Sequence, residues 1–202
     1  MAFIDTIHPH QAEGEVRALY QQQQNHYGYV PNYAKVFCYR PELMELWGKL
    51  QAGIRCHIEP RSFELVTLSA AHALKNSACS LAHAKALTRF YTEDEVLAIV
   101  DGSDTCPLTE SEQAMMKFAR QVALDAASVS AEDVAGLRQH GYADAEIFDI
   151  AITAAARAFF TKVLDALGVS PDSSVTDMNE AFRQPLTVGR SVDQAPLERL
   201  RY

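Results

Sequence analysis

Apolar residues recur along most of this chain at intervals of three and four, and nowhere do they alternate cleanly with polar ones. That spacing predicts helices with one buried face rather than strands. The first such stretch, residues 12–25 (AEGEVRALYQQQQN), runs into a turn punctuated by Gly28, Pro31 and Asn32. Residues 40–56 (RPELMELWGKLQAGIRC) place Pro41 at a helix start and repeat Leu43, Leu46, Trp47, Leu50 and Ile54 on one face. A third helix opens near Pro60, with Phe63, Val66, Ala70 and Leu74 as its core-facing stripe, and a fourth, SACSLAHAKALTRF, follows Asn76.

Capping chemistry marks the later elements. Thr92 with Glu95, Thr109 with Glu112 and Ser130 with Asp133 stand in capping-box register, and Gly102 and Gly141 fall where two of these helices should stop. The longest helical pattern covers residues 143–169 and is closed by Gly168 and Pro171. The only strand-like run, around Val188, is too short to found a sheet. The expected fold is all-α, with eight to ten helices in one domain over residues 1–170. Residues 171–202 are more polar and less periodic, and read as an extension outside the core.

At 202 residues the chain is long enough to bury a core without metal or disulfide staples. Its 48% apolar and 22% charged residues are an ordinary globular balance. A net charge of −8 with no Lys/Arg stripe lacks the footprint of a nucleic-acid binder. The N-terminus shows no export signal and no window is apolar enough to span a membrane, so a cytoplasmic location is expected. Cys38, Cys56, Cys79 and Cys106 form no CxxC pair, which fits a reducing compartment.

The candidate chemistry lies in FELVTLSAAHALKNSACSLAHAKAL, residues 63–87. With Asn76 as N-cap, Cys79 falls in a first helical turn, where unpaired N–H groups and the dipole favour a thiolate. His83, four residues on, shares that helix face and is placed to exchange a proton with the sulfur. A short connection would fold the preceding helix back and bring Glu64 to the imidazole. The same residues also suit a blander account: a buried cysteine, a chance Cys–His pair on an Ala-rich helix and a solvated glutamate. His72, Cys79, His83 and Glu64 are all metal-ligand types, but their spacing matches no standard zinc signature. His72 is expected to pack or cap, and no metal or cofactor is expected; there is no GxGxxG, Walker or haem motif.

The stretch from Glu64 through His83 resembles the active-site motif of the alkylhydroperoxidase D-like and carboxymuconolactone decarboxylase family, in which a Glu is followed by CxxC and then by His. Glu64, Cys79 and His83 fall on the family's relay glutamate, attacking cysteine and histidine, while Asn76 stands where the first Cys would be. GYVPNYAKVFCYRPEL, LTESEQAMMKFARQVA and AFFTKVLDALGV look like other segments of the family's peroxidase-related branch, so the resemblance spans roughly residues 10–170. It implies an all-helical domain that assembles into trimers or hexamers with sites near subunit interfaces.

The resemblance implies a peroxidase-related thiol oxidoreductase acting on hydroperoxides, with Cys79 attacking and Glu64 and His83 relaying protons. Because Asn76 cannot form a disulfide, an external thiol reductant, or Cys38 or Cys56 as a remote resolving thiol, would have to complete the cycle. The alternatives are a carboxymuconolactone decarboxylase-like enzyme on a small organic acid and a non-catalytic oligomeric scaffold. In the last, the extension, carrying Arg183, Arg190, Arg199 and Arg201, would grip an acidic neighbouring surface.

Overall fold

The computed structural model describes residues 2–200. Among them there are ten α-helices and no strand: α1 (Gly14–Tyr27), α2 (Asn32–Lys35), α3 (Pro41–Arg55), α4 (Pro60–Ala73), α5 (Ser77–Leu87), α6 (Glu93–Asp101), α7 (Glu110–Asp125), α8 (Ala131–Gln139), α9 (Asp144–Ala166) and α10 (Glu180–Leu186). All three sequence-predicted capping boxes form, at the starts of α6, α7 and α8. Each satisfies helix-end N–H groups that would otherwise lack a partner.

Helix α4 is the axis of the fold and packs against α5, α7 and α9. Phe63, Val66 and Ala70 are fully buried as expected, but so are Leu65, Leu68 and Ala71, whereas Leu74 is half-buried. The helix is thus enclosed on nearly all sides, because neighbours cover more than the single stripe its periodicity suggests. Each fully buried Leu, Val or Phe contributes roughly 1.5–3 kcal/mol, which makes α4 the main anchor of the bundle.

Two expectations are corrected. In α3 the buried residues are Met44, Trp47 and Ile54, while Leu43, Leu46 and Leu50 are 49%, 57% and 44% exposed. The helix lies at the periphery, touching α1 and α9, so only one flank of its wide apolar stripe meets the core. The C-terminal segment, in turn, is not outside the core: Phe182, Leu186 and Leu200 are buried. It returns along its own chain, where Val30 N–H donates to the Glu198 carbonyl (2.9 Å) and Asp193 N–H to the Pro171 carbonyl (2.8 Å). Arg190 donates to the Asp165 carbonyl and Arg199 to the Gly28 carbonyl. Arg201 lies outside the described residues.

Gly189 is where this strap comes closest to the body, its N–H donating to Ser77 Oγ at 2.8 Å. A Cβ there would sit 1.9 Å from the Lys75 carbonyl oxygen, so the approach requires glycine. The strap therefore covers the start of α5, where Asn76 and Ser77 are each 1% exposed.

Candidate active site

Being enclosed, α4 carries Glu64 into the interior, where it is 2% exposed. A buried carboxylate needs partners, and it has three. Oε2 lies 2.6 Å from His83 Nδ1 on α5, and Oε1 lies 3.3 Å from Arg55 Nη2 at the end of α3 and 3.8 Å from Arg89 Nη2 beyond α5. The Arg55 guanidinium is itself seated over the Phe63 ring at 3.9 Å. Burial pushes the Glu64 carboxyl up, but His83, Arg55 and Arg89 outweigh it and hold it below the usual carboxylate range.

His83 is pushed down to about 4, by burial first and by the nearby Arg157 charge second, against the upward pull of Glu64. At neutral pH the ring is uncharged and the carboxylate ionised. Their short contact is then Nδ1–H donating to Oε2, which leaves Nε2 as a proton acceptor. The arrangement is an oriented base.

Asn76 caps α5 through Oδ1, which accepts from the Cys79 N–H at 2.8 Å. Cys79 is 6% exposed. Here the sequence expectation is overturned on two points. The partner of the Cys79 sulfur is Arg157, whose Nη1 lies 3.5 Å from Sγ, rather than His83. Burial also pushes the thiol up, and although Arg157 pulls it down, its pKa ends above the ordinary cysteine value rather than below it.

Arg157, on α9, is the residue that sequence reasoning missed. It is 6% exposed, and among the described residues no carboxylate lies within the 4.0 Å of an ion pair. Its guanidinium faces the Trp47 and Phe160 rings at 5.9 and 5.7 Å, rings that stack on each other at 4.6 Å. The signal available was an arginine inside the apolar run AITAAARAFF.

The other candidates lie elsewhere. His72 is half-buried and lines a cleft of about 490 Å³ with Leu68, Ile99, Met116 and Arg120. Cys38 is buried, Cys56 exposed and Cys106 partly buried, all as free thiols. Among the described residues no group of three His, Cys, Asp or Glu side chains is placed to hold a metal ion. No described helix is long and apolar enough to cross a membrane.

Residues 41–121, from the start of α3 into α7, match the model of the Carboxymuconolactone decarboxylase family. That segment contains Glu64, Cys79 and His83. The whole fold is that of alkylhydroperoxidase D-like proteins. It is similar to an uncharacterized peroxidase-related protein with an alkylhydroperoxidase AhpD core from Ralstonia eutropha JMP134, with a TM-score of 0.67, 20% identity, and coverage of 94% of this chain and 98% of the other. A peroxidase-related protein from Silicibacter sp. TM1040 gives 0.68 at 21% identity, covering 80% and 86%. The debrominase Bmp8, in complex with 2,3,4-tribromopyrrole, gives 0.71 at 18% identity, covering 92% and 100%. No curated protein matches the chain.

Proposed function

We propose that this protein is a peroxidase-related thiol oxidoreductase that reduces small hydroperoxides through Cys79, with His83 and Glu64 relaying the proton. The observation that carries this reading is the 2.6 Å Glu64–His83 contact, which orients a neutral imidazole four residues from the thiol on the same helix. As the sulfur attacks the outer peroxide oxygen, the O–O bond breaks and Cys79 becomes a sulfenic acid. His83 takes the thiol proton and returns it to the departing alkoxide, which leaves as an alcohol. An external thiol then condenses with the sulfenic acid, releasing water, and a second thiol frees Cys79 from the mixed disulfide. Asn76, standing where the family motif has a first cysteine, leaves that role to the external reductant.

The exposed apolar faces of Leu43, Leu46 and Leu50, with Phe159 at 56% exposure, support assembly into a homo-oligomer, a trimer or hexamer as in the family. The four free, dispersed cysteines fit a cytoplasmic setting.

One observation favours a second reading, a decarboxylase-like enzyme on a small organic acid: a substrate carboxylate would complete the unpaired Arg157. Brief treatment with substoichiometric peroxide and a sulfenic-acid trap, followed by peptide mass spectrometry, decides between them. Trapped oxygen on Cys79 ahead of the exposed Cys56 is the expected result; oxidation ordered by exposure alone would sink the thiol reading.

A further inference from the structure

We propose that Arg157, rather than His83 or the start of α5, governs whether the Cys79 sulfur carries charge, as a positioning residue acting through its guanidinium. This rests on the reading of Cys79 as the reacting thiol.

A guanidinium does not shed its proton under any condition a folded protein meets, so Arg157 is a permanent cation in the interior. Burying such a charge without a counter-charge is costly. The Trp47 and Phe160 rings attract it but cannot neutralise it, and its Nε has no hydrogen-bond partner. The polar atom it meets is Cys79 Sγ. A neutral thiol leaves the cation unsatisfied, whereas a thiolate gives each group its partner.

The other sources of positive charge around the sulfur are already committed. His83 is neutral at physiological pH, with Nδ1–H held by Glu64, and so offers the resting sulfur no positive charge. At the start of α5 the Cys79 N–H is taken by Asn76 Oδ1 and the Ser80 N–H by the Asn76 carbonyl. From α4, Glu64 faces His83, Arg55 of α3 and Arg89. From α9, Asp165 opposes a thiolate, and it is itself bound to Asn76 and lies near Arg190 of the strap. Arg157 is left as the cation in contact with the sulfur.

The test is the pH profile of Cys79 alkylation in wild type, Arg157→Gln and Arg157→Lys, followed by peptide mass spectrometry, with the His83 titration read by NMR in the same proteins. In folded Arg157→Gln the Cys79 midpoint should rise by about one pH unit or more, and alkylation at pH 7 should slow about tenfold. The His83 midpoint should rise too, because the same charge holds it down; a merely structural role would not move both. Arg157→Lys, which keeps the charge but not the planar contact, should shift less. A folded Arg157→Gln with wild-type profiles overturns the proposal. If that variant does not fold, Arg157→Met, which removes the charge beside the Trp47 and Phe160 rings, is read in the same way.

Peroxide is absent throughout, so the two readings fail separately. Lack of peroxide turnover with an Arg157-dependent profile removes only the substrate assignment. Turnover with an Arg157-independent profile removes only this one.

Discussion

Replacing Gly189 with alanine tests whether the C-terminal strap is an integral part of the folded body. The added Cβ would stand 1.9 Å from the Lys75 carbonyl oxygen, 3.1 Å from its carbon and 3.6 Å from Ser77 Oγ. What it meets first is backbone, which cannot swing aside as the end of a side chain does. Lys75 already holds a left-handed φ of 57° in the tight link between α4 and α5 and has little room to retreat. The strap must lift instead, and the Gly189 N–H bond to the buried Ser77 hydroxyl breaks with it. Overpacking costs about 1–3 kcal/mol and the lost hydrogen bond about 1 kcal/mol, so a loss of about 2–4 kcal/mol is expected. For a chain of this size that lowers the melting midpoint by roughly 5–15 °C. Urea unfolding should show the midpoint concentration falling at constant slope, and trypsin should cut after Arg190 sooner than in wild type. Stability within about 0.5 kcal/mol of wild type together with unchanged cleavage would refute the reasoning.

Two further substitutions probe the site and its surroundings. Asn76→Cys should form a disulfide with Cys79 on oxidation, at about 1 kcal/mol of lost capping. Intact mass after peroxide reads it as the loss of two hydrogens, absent in wild type and in the variant that also carries Cys79→Ser; a folded Asn76→Cys that forms no such bond would mean Cys79 is not the attacking position. Burial pushes the Asp172 carboxyl up to about 6, although its Oδ1 accepts from the Asn32 N–H. An acid raised by folding stabilises below its unfolded value of about 3.9, and that contribution is lost as pH rises through 6. Asp172→Asn should therefore lose stability relative to wild type as pH falls from 7 to 4, by up to about 3 kcal/mol; parallel urea midpoints for the two proteins over that range would contradict it.

What the sequence disclosed was what neighbouring residues decide. The pairs Thr92–Glu95, Thr109–Glu112 and Ser130–Asp133 act within one helical turn, and the Asn76 cap likewise, so their meaning survives without knowledge of the fold. Glu64 and His83 were legible as a pair because one short link connects their helices. What depends on distant packing was not legible. Leu43, Leu46 and Leu50 carry the right spacing for a core stripe, but only the position of α3 decides which flank is covered. Phe182, Leu186 and Leu200 are dispersed in a polar segment whose burial depends on the path of the chain. Cys79 misled for the same reason: its place in a first turn argues for a thiolate, while the burial that opposes it comes from remote elements, as does Arg157.

Trp47 is the single tryptophan of the chain, and it is 8% exposed. Its indole stacks on Phe160 and stands 5.9 Å from the Arg157 carbon, so the one strongly emitting fluorophore of the protein is built into the wall of the candidate site. Selective excitation of the indole reports on that wall alone, with the eight tyrosines silent. The emission of an indole responds to nearby charge and to water. Oxidation of Cys79, entry of an anion or withdrawal of the guanidinium should each change the colour or intensity of the light, so the unlabelled protein carries its own optical gauge of the events at its sulfur.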